Sequence, residues 1–261
     1  MTAAEQKNFF DTFGFAVLKQ AFERDEISAI NDAYERLINQ GLQEAGIDRE
    51  QPENSFAIDP GFCERDPVLR TLVDDERIVG TIDNLFEPGW FYAASDGHLY
   101  LKDTNWHPNT GWNPTIPLGR EDSNLATEMP AHYFPGMKVA LYLDPVAKET
   151  GCLRVIPGSH QSPFHESLAS LHSAVQDSPE LLQDPRFPQF DLPPAAMPCH
   201  AIQSEPGDLV FFHSMLWHAS FGGTVRRMFS LWYQSRGEKD YQRELAQSWK
   251  RRAADIEARY G

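Results

Sequence analysis

The feature that most constrains this chain is a succession of short strand-like runs through its middle and later part. "HLYLKDTNWH" (98–107), "MKVALYLDP" (137–145), "CLRVIP" (152–157), "AIQSEPGDLVFFHSMLWHAS" (201–220) and "VRRMFSLWYQS" (225–235) are rich in β-branched and aromatic residues and are bounded by Pro, Gly and Asn. The fourth run holds two strands around a turn at Pro206–Gly207. At least six strands follow one another with few helices between them. Parallel pairing needs long crossovers, so the pattern predicts antiparallel sheets packed as a sandwich or barrel.

Helices are predicted mainly on either side of these strands. "AEQKNFFDTFG" reads as a short helix stopped at Gly14, followed by a strand, "FAVLK". From Asp25 to Leu42, apolar residues at Ile27, Ile30, Tyr34, Leu37, Ile38 and Leu42 recur at helical spacing. Asp66 and Pro67 form an N-cap and first-turn pair for a helical stretch running towards Leu85. A helical piece, "FHESLASLHSAV", lies in the insert 160–198, where His165 and His172 are expected at the surface. A last helix is predicted from Lys239 to Tyr260. The expected organisation is one domain over 1–261: a helical part (1–88), a strand-built core (89–236) and a closing helix (237–261).

Composition narrows the function. The formal net charge of −15 repels phosphate backbones, so nucleic acid is not an expected partner. No apolar run is long enough to span a membrane, and the first residues do not read as a signal peptide. The three cysteines, Cys63, Cys152 and Cys199, form no metal-binding spacing and are expected as free thiols in a reducing cytoplasm.

Two histidines stand out by position. His107 ends a strand beside Trp106, and His218 ends another where the small-residue turn "ASFGG" begins. Strand ends in a barrel are where ligands collect. On the last strand, Arg226, Met228, Ser230 and Trp232 share one face, and Arg227, Phe229, Leu231 and Tyr233 the other. An Arg inside a barrel requires an anionic partner, and a small dicarboxylate suits a guanidinium.

Four segments together resemble the phytanoyl-CoA dioxygenase family. They are "LYLDPVAKETGCLRVIPGSH" (141–160), "EPGDLVFFHSMLWHASFGGTVRRMFSLWY" (205–233), "LKDTNWHPN" (101–109) and the opening "FFDTFGFAVLKQAF" (9–22). The resemblance implies a mainly β fold with flanking helices: a double-stranded β-helix, the cupin-like jelly-roll barrel. It implies Fe(II), with 2-oxoglutarate and O2 as cosubstrates, for oxidation of an unactivated C–H bond in a small molecule, most simply hydroxylation. It puts metal ligands at His107 and His218, the carboxylate ligand of a two-His facial triad at position 109, and the 2-oxoglutarate-binding Arg at Arg226, with Ser230 beside it and Arg227 as the alternative.

Position 109 is Asn, a neutral donor where the family carries Asp. Asp103 is about 13 Å from His107 along an extended strand, and Asp96 is farther along the chain, so neither is expected to substitute. Several readings stay open. In one, an amide completes the triad of an active oxygenase. In another the chain is a binding protein of impaired turnover, and in a third Asn replaced Asp to trap a complex. A halogenase fits least, because Asn fills the space that Gly or Ala leaves for a halide. Loop 109–134 and insert 160–198 are expected to form the mouth. No acyl-CoA signature is present, and oligomeric state is open.

Overall fold

The computed structural model describes residues 2–49, 54–86, 89–109, 136–185, 187, 189–223 and 225–235. The expected mouth loop beyond Asn109, with Trp112, Arg120 and Tyr133, and the expected C-terminal helix lie outside these residues.

Helix α1 (Ala3–Phe13) begins with a capping box. The Thr2 hydroxyl accepts from the Glu5 N–H, and Glu5 Oε2 accepts from the Thr2 N–H. It ends at Gly14, whose left-handed φ of 83° lets its N–H reach the Phe10 carbonyl at 2.7 Å. Strand β1 (Phe15–Leu18) follows, and then α2 (Arg24–Glu44), which buries Ile30, Ala33, Tyr34, Leu37, Ile38 and Leu42 on one face. After β2 (Phe56–Ile58), the stretch expected as one helical run divides in two. Asp66 caps α3 (Pro67–Arg70), a 3-10 turn follows, and Asp75 turns extended and caps α4 (Glu76–Leu85). A carboxylate that bonds the N–H two residues on competes with continued helix, which is why the second Asp restarts it.

The remaining strands are β3 (Trp90–Tyr100), β4 (Thr104–His107), β5 (Gly136–Tyr142), β6 (Leu153–Val155), β7 (His200–Ile202), β8 (Leu209–His213), β9 (His218–Ser220) and β10 (Arg226–Ser235). They form a six-stranded sheet in the order β1-β8-β5-β10-β3-β2 and a four-stranded sheet in the order β4-β9-β6-β7. The paired strands are antiparallel. Ala140, Tyr142, Val210 and Phe212 of the larger sheet pack against Leu153, Val155 and Ile202 of the smaller, so the sheets face each other in a jelly-roll sandwich.

The main core lies on the other side of the larger sheet. Met137, Val139, Leu141, Leu209, Phe211, Phe229, Leu231 and Tyr233 pack against α2 and α4 through Ile30, Tyr34, Ile38, Ile78 and Ile82. β3 is held to this layer at Gly97, where an added Cβ would overlap the Phe62 ring.

The insert differs from expectation. Its helices α5 (Phe164–Ser167), α6 (Ser173–Gln176) and α7 (Pro179–Leu182) lie outside the smaller sheet. Leu168, Leu171 and Met197 cover Trp106, Trp217 and Ala219. His165, expected at the surface, is 2% exposed, with its Nδ1 3.0 Å from the Ser159 carbonyl and its ring against Trp217. Helical spacing alone did not show that Trp217 would offer an apolar wall. The three cysteines are free thiols. No described helix is long and apolar enough to cross a membrane.

Candidate active site

The cavity between the sheets is lined from both sides. From the smaller sheet come His107, His218 and Ser220, with Asn109 just past β4. From the larger come Asp96, His98, Tyr100, Lys138, Tyr142, Arg226 and Ser230.

His107 and His218, 111 positions apart in the chain, are register partners across β4 and β9, and their ring centroids are 4.3 Å apart. Each ring has one nitrogen committed. His107 Nδ1 donates to the Asn105 carbonyl at 2.7 Å, and His218 Nδ1 donates to the Leu216 carbonyl at 2.7 Å. That sets the tautomer and leaves both Nε2 atoms as lone-pair donors. Burial pushes both imidazole pKa values down, His218 well below its ordinary value, so both rings are neutral at pH 7. Two neutral imidazoles with their lone pairs available are a chemically suitable start for a divalent metal.

Asn109 is placed by its backbone: its N–H donates to the Ser214 carbonyl at 2.8 Å. Its side-chain Nδ2 is buried and has no hydrogen-bond partner among the described residues. Among the described residues no group of three His, Cys, Asp or Glu can hold a metal ion. Among the described residues, the side chain two positions beyond His107 is the neutral Asn109.

Arg226 and Arg227 are neighbours with opposite surroundings. Arg227 lies on the helix side, where its guanidinium meets both oxygens of Asp144 (2.6 and 3.0 Å), Glu35 (2.7 Å) and Asn31 (2.8 Å). Arg226 faces the cavity and is 2% exposed. Its guanidinium donates to the carbonyls of Gly151 (3.1 Å) and Lys102 (2.9 Å) and to the Ser220 hydroxyl, and lies over the Tyr100 ring. It makes no ion pair among the described residues. Gly151 and Gly223 leave it room: a Cβ on either would come within 2.5 or 2.8 Å of Nη1. A buried cation with neutral acceptors on one side is a ready carboxylate site.

Ser230 faces inward as the strand period requires, but its hydroxyl donates to Asp96 at 2.7 Å. Asp96 also accepts from His98 at 3.0 Å and from Lys138 at 2.5 Å. Burial alone would raise the Asp96 pKa, but the Lys138 charge and the His98 contacts outweigh it and hold the carboxyl well below the usual range. Asp96 thus enters the same cavity as His107 although it precedes it by 11 positions, because β3 and β4 lie in opposite sheets. Its oxygens are already bonded to other groups. Asp103 accepts from the Gly223 N–H instead.

Sequence reasoning missed Ser220, Asp96, His98 and Tyr100. A signal for the last three existed: Asp96, His98 and Tyr100 alternate with Gly97 and Leu99, which marks one polar strand face. The insert also reaches the site. The His172 pKa is lowered to about 4 by burial and by nearby His107, and Asn105 Nδ2 donates to Gln176 at 2.9 Å.

A profile of the phytanoyl-CoA dioxygenase family matches residues 10–228. The peroxisomal phytanoyl-CoA dioxygenase of Mus musculus is 24% identical over 238 residues. That match takes in 83% of this chain and 62% of the mouse protein, so the chain spans about three fifths of its relative's length. Among solved structures, HygX from Streptomyces hygroscopicus with nickel and 2-oxoglutarate bound is similar at a TM-score of 0.62 and 19% identity, covering 89% of this chain and 86% of that one. The non-heme alpha ketoglutarate dependent carbocyclase SnoK from nogalamycin biosynthesis is similar at a TM-score of 0.61 and 19% identity, covering 90% and 86%. At these identities the two structures attest the fold.

Proposed function

The chain belongs to the phytanoyl-CoA dioxygenase family, and from that premise we propose that it is an Fe(II)- and 2-oxoglutarate-dependent dioxygenase. It hydroxylates an unactivated C–H bond of a small organic molecule, with O2 as oxidant and succinate and CO2 as coproducts. The observation that carries this reading is the buried Arg226, without a carboxylate partner among the described residues, in the same cavity as the paired imidazoles of His107 and His218.

The residues present fit the implied groups. His107 and His218 would hold iron through Nε2, with the Asn109 amide oxygen as third protein donor. Bound there, iron supplies O2 activation coupled to decarboxylation of 2-oxoglutarate. The chain's own part is positioning. The carbonyls of Asn105 and Leu216 lock the imidazole tautomers, and Arg226 grips a distal carboxylate through two parallel hydrogen bonds. The sandwich walls, with Phe212 and Leu153, keep water from the reacting groups.

A second reading is a catalytically impaired binding protein of the same fold. It is favoured by the lack of a three-ligand acid or imidazole group among the described residues.

Anaerobic titration with Fe(II) and 2-oxoglutarate, followed by the visible charge-transfer band, decides between them, with Asn109→Asp in parallel. A band and succinate formation in air from the wild type support the oxygenase. Asn109→Asp is expected to tighten iron by about tenfold or more, because it returns a negative charge to a poorly solvated site. A band in Asn109→Asp alone favours the impaired protein, and no band in either removes the metal assignment.

A further inference from the structure

The two imidazoles are held by different means. His218 lies on β9, which has β4 on one side and β6 on the other, and it pairs with both His107 and Val155. His107 lies on β4, an edge strand of the smaller sheet, so a ladder holds it from one side alone.

The pairing of β4 is also irregular. Thr104 is opposite Ser220 and His107 is opposite His218, so three steps along β4 answer two along β9. Asn105 and Trp106 therefore stand against Ala219 alone, and β4 carries one extra residue, a β-bulge. The bulge decides where His107 points. Directly opposed residues share a face of the sheet. A regular ladder continued from Thr104 would put Trp106 opposite His218 and into the cavity, and would turn His107 to the outside. With the extra residue, Thr104 and His107 line the cavity, and Trp106 packs outside against Phe221.

A bulge takes backbone groups out of the ladder, and they need partners elsewhere. Two find them within the bulge. The Trp106 N–H donates to Asn105 Oδ1 at 2.9 Å, and the Asn105 carbonyl accepts from His107 Nδ1 at 2.7 Å. The insert holds the rest. Asn105 Nδ2 donates to Gln176 Oε1 on α6 at 2.9 Å, and Trp106 Nε1 donates to the Pro194 carbonyl at 2.8 Å. The amide that fixes the bulge is thus itself fixed by Gln176, 71 positions away in the chain.

We propose that Gln176 is a positioning residue for His107: through Asn105 it holds the bulge that turns the imidazole into the cavity. The insert is then part of the framework of the imidazole pair. That His107 binds a metal rests on the function proposed above, whereas the bulge and its support do not. His218 needs no such support, because its strand is paired on both sides.

The test compares Gln176→Met, which keeps the side-chain length and removes the acceptor, with Gln176→Glu, which keeps an acceptor. The first readout is metal-free. NMR of the full-length protein with isotope-labelled histidine follows the Nδ1–H signals of His107 and His218, assigned by their loss in His107→Asn and His218→Asn. The second is calorimetric titration with Ni(II) alone. Gln176→Met is expected to broaden or abolish the His107 signal and to leave that of His218 in place. It should weaken Ni(II) binding by about tenfold, the low end of what disturbing the outer partners of a ligating His costs. Gln176→Glu should restore both. A His107 signal unchanged in Gln176→Met overturns the proposal and leaves Gln176 as a surface contact. Loss of both signals together overturns it too, because that marks a general loosening of the fold. If the wild type binds no Ni(II) while the His107 signal still responds to Gln176→Met, the metal reading falls and the positioning role stands.

Discussion

The two faces of the six-stranded sheet solve opposite problems with the same strands. On the helix side, β10 presents Arg227, Phe229, Leu231 and Tyr233, and each finds a full set of partners: carboxylates for the Arg, α2 and α4 for the rest. On the cavity side it presents Arg226, Met228 and Ser230, where cations outnumber the carboxylates that answer them. One face is closed by the chain itself, while on the other Arg226 has no ion pair among the described residues. Apolar packing is concentrated in the first.

The largest expected difference between the faces is in packing. Phe229→Ala should lower unfolding stability by about 3–5 kcal/mol, since it empties a fully buried site between sheet and helices. Met228→Ala, half-buried on the cavity wall, should remove less than about 2 kcal/mol. Urea unfolding of both variants measures this, and equal losses would break the distinction.

A smaller difference separates the adjacent arginines. Arg227→Met removes the bidentate partner of Asp144 and one of two cations on Glu35, which keeps Arg49, and should cost about 1–2 kcal/mol. Arg226→Met removes a buried cation while taking the donor from the Lys102 carbonyl, Gly151 keeping the Ser220 hydroxyl, opposing effects that should keep stability within about 1 kcal/mol of wild type. A large loss at Arg226 would mean that the cavity face, too, is closed by the chain.

A pH-dependent effect, spread over several pH units, sharpens the comparison last. His213, at the end of β8, packs against Phe86 on the helix side, and burial, with His160 and His165 nearby, lowers its pKa to about 3. The unfolded chain takes up this proton near pH 6.5 and the folded chain does not, so stability falls as pH drops below 6.5, by roughly one kcal/mol per pH unit until about pH 3. His213→Asn, which keeps an acceptor for the Met215 N–H, should flatten the decline of melting temperature over pH 6.5 to 4. An unchanged slope would assign it to His160 and His165, whose pKa values burial also lowers.

Much of this division was legible beforehand. The period-2 alternation on β10 put Arg226 and Arg227 on opposite faces, and the apolar spacing of α2 marked its buried side. Both are local regularities of backbone geometry, so residue order alone determines them. The N-terminal capping residues at Asp66 and the stop at Gly14 were legible for the same reason. So was the negative fact at position 109: an Asn carries no charge wherever the fold puts it.

What only the tertiary structure decided was partnership. That Arg226 meets neutral carbonyls depends on a turn at 151, and that Arg227 meets Asp144, Asn31 and Glu35 depends on the end of β5 and on a helix nearly 200 positions earlier. Ser230 could be placed on the right face, but only the pairing of β3 with β10 gave its hydroxyl to Asp96. Distance along a strand put Asp96 far from His107, yet the passage of the chain from one sheet to the other brought both into one cavity. His107 and His218 meet because β4 pairs with β9 in the smaller sheet. Side-chain direction is set within a few bonds, whereas the groups a side chain meets are set by which strands pair, and strand pairing is a property of the whole chain.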